Sequence, residues 1–154
     1  MHQTLLTLHS INRWLLLFFL MYSIFLSARG VLRSRGFSKQ DNLIRHLTAT
    51  VSHIQLMLGL ALYMISPIVK FNPAIPETRL WVGEHEFFRY VHISLMILSV
   101  VMITIGSARA KRAPTDREKF GTMLLWFVLS LIVIFIAIPW PFSPLANRPF
   151  FRPF

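Results

Sequence analysis

The chain has 154 residues, of which 55% are hydrophobic and only 14% are charged, and its mean hydropathy is +0.57. A soluble domain carries roughly a quarter charged residues, so this composition indicates an integral membrane protein. Cysteine is absent. That absence excludes disulfides, cysteine-ligated iron–sulfur clusters, thiolate metal sites and covalently attached c-type haem.

Four long apolar stretches account for most of the chain. They lie near residues 5–27, 44–66, 87–107 and 121–139. Each is close to the ~20 residues that a helix needs to cross the hydrocarbon core. We therefore predict an all-α membrane protein, a single domain over 1–154 with four transmembrane helices in an antiparallel bundle. The first stretch is predicted to be a retained span rather than a signal peptide, because no basic segment precedes it. Residues 140–154 are predicted to form an interfacial aromatic tail, which either anchors the chain in the membrane interface or, as we favour, docks against partner subunits.

The net charge is +10, and the basic residues concentrate in two of the three connections between spans. One cluster is Arg29, Arg33, Arg35, Lys39 and Arg45, and the other is Arg109, Lys111, Arg112, Arg117 and Lys119. The positive-inside rule predicts that both clusters face the cytoplasm and that both termini lie on the opposite side of the membrane. The membrane topology of the chain and its attraction to anionic lipids then explain the excess of basic residues. No nucleic-acid partner is predicted, because the clusters lack interleaved aromatic residues.

Three of the six histidines, His9, His53 and His92, lie inside predicted spans. A neutral imidazole in hydrocarbon is costly unless it is paired, so each is a candidate functional residue. At 1.5 Å per residue, His9 and His92 lie about 6 and 7 Å from the outer boundary, and His53 about 19 Å. Depth therefore pairs His9 with His92 best, while pairing His53 with His92 needs helix tilt.

Arg13 lies one helical turn deeper than His9 and shares its face. It is predicted to be the counter-charge of an anionic group, with snorkelling to the interface as the alternative. Two facing imidazoles are the ligands by which a helical bundle holds b-type haem. Arg13 would then pair with a haem propionate or polarise a quinone carbonyl. The other interpretation of the histidines is a hydrogen bond to a neighbouring helix.

No other constellation in the sequence predicts chemistry. It shows no Ser/His/Asp arrangement, no phosphate-binding glycine loop and no pair of intramembrane carboxylates. Glu84, His85 and Glu86 could bind zinc, but adjacent positions on an exposed loop are more typical of solvated side chains. No catalytic residue is therefore predicted.

Motifs along nearly the whole chain resemble those of a family of small four-span bacterial membrane proteins labelled cytochrome-b-like. They are Leu8-His9-x3-Arg13-Trp14, Ala49-Thr50-x2-His53-x5-Gly59, His92-x3-Met96, Ile138-Pro139-Trp140-Pro141-Phe142 and Asn147-Arg148-Pro149-x-Phe151. In that family a glutamate directly precedes the third-span histidine. This chain has Val91 there, so no role of that acid is carried over. The resemblance implies haem by name and adds weight to the three intramembrane histidines.

The predicted function is a small integral subunit of a membrane electron-transfer complex, respiratory or related. It would hold b-type haem or a quinone through His9, Arg13, His53 and His92, with the histidines as candidate haem-iron ligands. A quinone would leave the histidines free to exchange protons with it. The alternative is a cofactor-free scaffold subunit packed against a larger membrane complex. Both hypotheses predict the bilayer and a larger complex as partners, and both favour a non-catalytic role over an enzyme.

Overall fold

The computed structural model of the chain describes residues 2–69, 84–143 and 148. Over these residues the fold is all-helical, with no strand. The elements are α1 (His2–Arg33), α2 (Lys39–Ile65), the short α3 (Glu84–Glu86), a π-helical segment (Phe87–His92), α4 (Ile93–Arg112) and α5 (Asp116–Ala137). Four helices are long and apolar enough to cross a membrane, the third running from Phe87 through α4 to Arg112. The prediction of an all-helical fold with four helices long and apolar enough to span a membrane is confirmed for the described residues.

The helices extend beyond the apolar stretches that predicted them, because polar ends and capping residues continue them. Helix α2 begins at Lys39 rather than near residue 44. The hydroxyl of Ser38 accepts from the amide of Asp41, and the Asp41 carboxylate accepts from the amide of Ser38. This reciprocal capping box satisfies amides that have no partner inside the helix. Thr115 caps α5 in the same way by accepting from the amide of Glu118.

Each of the four long helices packs against two others: α1 and α4 both contact α2 and α5. Their shared core contains Leu16, Leu20, Ile103 and Phe127. Small polar side chains are also buried between helices, and the hydroxyls of Ser23 and Thr48 hydrogen-bond across α1 and α2 at 2.7 Å. Small residues and interhelical hydrogen bonds of this kind hold helices together where lipid, rather than water, surrounds them.

The connections 34–38 and 113–115 meet at one end of the molecule. The rings of Phe37 and Phe120 pack there with their centroids 4.9 Å apart. The guanidinium of Arg35 lies 4.6 Å from the centroid of the Phe120 ring and donates to both carboxylate oxygens of Asp41, at 2.6 and 2.7 Å. These hydrogen bonds raise the pKa of Arg35. The two connections that carry the basic clusters therefore share one end.

Glycine allows close contact between α4 and α5. A Cβ on Gly106 would overlap the Cβ of Trp126, whereas a Cβ on Gly121 would meet nothing within 4 Å. We expect Gly106→Ala to lower the free energy of unfolding by about 1–3 kcal/mol, the usual cost of overpacking. Gly121→Ala is the matched control and should be neutral or slightly stabilising, since alanine favours helix. Thermal unfolding of both variants in detergent measures this, and equal melting temperatures would contradict it.

Candidate functional site

His9 of α1 and His92 of the π-helical segment face each other inside the molecule. Their ring centroids are 6.5 Å apart and the ring planes are inclined by 64°. Both rings line two adjoining cavities of about 170 and 90 Å³. The larger cavity is otherwise mostly apolar, with Leu16, Leu60 and Met96 among its lining residues. The structure thus brings together the two histidines that depth along the helices pairs best.

His92 is held in one tautomer by the end of α5. Its Nδ1 donates to the backbone carbonyl of Ala137 at 2.8 Å, and a carbonyl can only accept. Ala137 is the last residue of α5, and Pro141, four residues later, has no N–H to bond that carbonyl. In the neutral ring, Nε2 of His92 therefore carries the lone pair and can accept a hydrogen bond or bind a metal.

The backbone around His92 departs from the α-helix. Residues Phe87–His92 form a π-helical segment, a rare conformation that occurs frequently at functional sites. The rings of Phe87 and Phe88 lie 5.9 and 5.7 Å from the His92 ring, centroid to centroid. The imidazole is thus enclosed by aromatic side chains on the side of its own helix. A hydrogen bond to it gains strength in such apolar surroundings.

His9 is held by an amide relay from α2. The side-chain nitrogen of Asn12 donates to Oε1 of Gln55 at 2.8 Å, which fixes the orientation of the Gln55 amide. Gln55 Nε2 then donates to both Nε2 and the backbone oxygen of His9, each at 3.1 Å. An amide nitrogen cannot accept, so Nε2 of His9 is the acceptor and Nδ1 carries the proton. Among the described residues, nothing accepts a hydrogen bond from this buried Nδ1.

Two arginines contribute guanidinium groups to the site. Arg13 and Arg148 line the smaller cavity together with both histidines. Their guanidinium groups lie over the rings of Trp14 and Phe88, each 5.3 Å from the ring centroid. No acidic side chain occurs among the described residues that line either cavity. Cations enclosed by apolar walls attract a negatively charged or strongly polarised oxygen.

His53 lies elsewhere. It is exposed on the outside of α2, and its Nε2 donates to the hydroxyl of Thr104 at 2.9 Å. That hydroxyl in turn donates to the carbonyl of Val100. His53 lines neither of the two cavities. The structure therefore does not bring it together with His9 and His92, and its contacts are those of a hydrogen bond between neighbouring helices.

The described part of the tail folds back on its own helices. The ring of Trp140 packs 6.2 Å from that of Trp14 and stacks at 5.8 Å on Phe142. Its indole N–H donates to the carbonyl of Phe135, and the amide of Arg148 donates to Pro139. Arg148 thereby reaches the histidine site, which the sequence did not predict. The rest of the predicted docking tail, 144–147 and 149–154, lies outside the described residues.

Gln55, Asn12 and Arg148 are the site residues that the sequence analysis missed. Gln55 is 7% exposed, and a side-chain amide buried at membrane depth needs a partner as much as a histidine does. The presence of an amide side chain inside a predicted span could therefore have identified Gln55 from the sequence.

At the outer loop, His85 donates to the carbonyl of Ile68 at 2.6 Å. No group of three potential metal ligands occurs among the described residues.

Fold and site together define a multi-pass membrane protein in which an imidazole pair and two arginines line one cavity of the helical core. A comparison with protein-family models, with curated proteins and with solved structures finds no match for the chain. The resemblance to the cytochrome-b-like family therefore stays a prediction. What the site can bind has to be judged from its own geometry.

Proposed function

We propose that the chain is a small integral subunit of a membrane electron-transfer complex and that its site binds the head group of a quinone. One observation carries this proposal: a matched donor and acceptor line one cavity. Both rings line the cavity; His9 has its N–H on Nδ1, from which no described group accepts, and His92 has its lone pair on Nε2. A quinone carbonyl accepts a hydrogen bond, while a quinol hydroxyl can donate one. The pair can therefore bind both the oxidised and the reduced head group.

The size of the cavity fits a ligand with a single ring. Its volume of about 170 Å³ is close to the roughly 150 Å³ that accommodates benzene in an engineered protein cavity. Sites for drug-sized ligands have roughly 300–1,000 Å³. A quinone head group matches this volume, and its tail would leave between the helices toward the lipid.

The residues present do not fit a haem held by both histidines. The lone pair of neutral His9 is on Nε2, and this nitrogen already accepts a hydrogen bond from Gln55 at 3.1 Å. A cavity of about 170 Å³ is also too small for a macrocycle. For these reasons we propose a quinone rather than the haem expected from the facing imidazoles and from the family resemblance.

The charges of the site have a specific role in this proposal. A quinone supplies reversible uptake of two electrons, from a redox centre in a partner subunit, together with two protons. Arg13 and Arg148 would stabilise the negative charge that develops on the ring oxygens as electrons arrive. Nε2 of His92 would accept a proton from the quinol on its reoxidation.

The proposed arrangement in the membrane follows from the basic clusters. We propose an antiparallel four-helix bundle in a bacterial inner membrane, with both termini periplasmic. The connections 34–38 and 113–115 meet at one end, and that end carries the basic residues Arg35, Lys39 and Lys111. The positive-inside rule assigns such an end to the cytoplasm.

The test is a cofactor inventory of the purified protein. The full chain is extracted with its native partners in mild detergent, and its lipid-soluble content is separated by chromatography. We expect a quinone at close to one per chain, and a reduced-minus-oxidised spectrum without a b-type α-band. A pyridine haemochrome assay that finds one haem per chain would overturn the proposal in favour of a cytochrome. Absence of both cofactors would favour the scaffold hypothesis.

The amide relay gives a prediction about affinity. Gln55→Leu removes the donor that fixes the His9 tautomer, so the proton is no longer confined to Nδ1. We expect about five- to tenfold weaker binding of a short-tailed benzoquinone, the equivalent of one positioned hydrogen bond. Thr50→Val is the control, because this exposed hydroxyl of α2 donates only to the carbonyl of His46. Equal affinities of the two variants, measured by titration in detergent, would contradict the role of the relay.

A further inference from the structure

A separate basic groove of about 600 Å³ opens at the end where connections 34–38 and 113–115 meet. Four side chains that carry or can take up positive charge line it, Lys39, His46, Lys111 and Lys119, with Phe37 and Leu43 as its apolar part. These residues come from three different parts of the fold: the start of α2, the end of α4 and the start of α5. The groove is thus formed only when the helices pack.

The groove has an excess of positive charge. Lys119 is paired with Asp116 at 3.1 Å and lies 5.5 Å from the centroid of the Phe37 ring. Lys39 and Lys111 are exposed, and none of the described residues that line the groove is acidic. Lys111 is in the last turn of α4, where the helix dipole adds negative potential that stabilises its charge. A phosphate group would complement the two exposed lysines.

The groove lies at the level of lipid head groups. Helix α2 has 27 residues, which at 1.5 Å each is about 40 Å, against ~30 Å for the hydrocarbon core. Because the charged residues of α2 are at its start, the excess length falls there and places Lys39 in the head-group layer. Further along the outside of α2, Leu43, Ile54 and Met57 are exposed and apolar. A molecule with a phosphate at one end and acyl chains at the other would match this basic surface followed by an apolar one.

We propose that this groove is a binding site for an anionic phospholipid. Its phosphate is bonded by Lys39 and Lys111, and its acyl chains lie along the apolar outer face of α2 below Leu43. Basic pockets between transmembrane helices bind anionic lipid head groups in this way. The site is independent of the histidine cavities, which share none of its lining residues.

The test compares phosphatidylglycerol binding to the full chain and to a double variant, Lys39→Gln with Lys111→Gln, by native mass spectrometry from detergent. Each lysine near an anionic lipid is worth about fivefold in affinity, so we expect roughly tenfold or greater weakening. Arg117→Gln together with Arg112→Gln is the control. It removes two positive charges from the same end but alters no residue of the groove.

Three outcomes decide the proposal. Selective weakening in the lysine variant, with the control close to the unaltered chain, supports it. Equal weakening in both variants would show attraction to the overall charge and overturn it. Displacement of the lipid by millimolar inorganic phosphate would also overturn it, because the groove would then be a site for free phosphate.

Discussion

The His92→Leu protein is expected to bind a short-tailed benzoquinone at least about tenfold more weakly than the unaltered chain. The substitution removes the acceptor Nε2 from the cavity. It also leaves the carbonyl of Ala137 without the donor it has at 2.8 Å. A hydrogen bond lost from a buried site costs about 1–3 kcal/mol, because its partner stays desolvated. Quenching of tryptophan fluorescence is a suitable readout, since Trp14 and Trp140 pack together beside the site.

His53→Leu is the matched control for this experiment. It makes the same chemical change on an exposed histidine, whose ring bonds only to Thr104 among the described contacts. We expect its quinone affinity to stay within about twofold, as for most surface substitutions. A His53 variant that loses affinity as much as the His92 variant would place the site elsewhere. If His92→Leu binds the quinone as tightly as the unaltered chain does, the imidazole pair has no part in quinone binding.

The placement of the histidine pair was predictable because depth in a membrane depends only on position along the helix. Each residue adds ~1.5 Å, so His9 and His92 could be matched without knowing how their helices pack. The membrane class was predictable for a similar reason, since apolar stretches of ~20 residues have few alternative explanations. These are one-dimensional properties of the chain.

The rotation of each helix about its axis was not predictable from the same data. Successive residues in a helix are about 100° apart, so His53 and Gln55 point about 200° away from one another. Only one of them can face α1. The structure directs Gln55 to His9 and leaves His53 on the outside. The chemistry of its imidazole makes His53 the stronger candidate in the sequence, whereas packing of the whole α2 face decides which side chain points inward.

The helix ends show a second limit of prediction from the sequence. Hydropathy placed the start of α2 near residue 44, because the preceding residues are charged. The side chains of Ser38 and Asp41 nevertheless begin the helix at Lys39. Asp41 is 2% exposed although it is ionisable. Its burial depends on Arg35, a partner six residues earlier that an apolar-stretch analysis cannot identify.

Asp41 is accordingly the polar residue whose loss should destabilise the fold most. Its carboxylate accepts from both terminal nitrogens of Arg35 and from the amide and hydroxyl of Ser38, at 2.6–2.8 Å. Arg35 in turn covers the Phe120 ring and so connects the loop 34–38 to the start of α5. Removing one partner of a buried pair costs about 3–5 kcal/mol. Because Arg35 is 28% exposed, solvent reduces that cost.

We therefore expect Asp41→Asn to lower the free energy of unfolding by about 2–3 kcal/mol. Asp116→Asn is the control, because it makes the same substitution in a carboxylate that is 46% exposed and paired with Lys119. An exposed pair contributes less than about 1 kcal/mol. Unfolding both variants with increasing denaturing detergent, followed by circular dichroism, gives the two values. Equal losses would mean that burial of Asp41 adds nothing to the pair, and that the end of the molecule is held by its aromatic contacts instead.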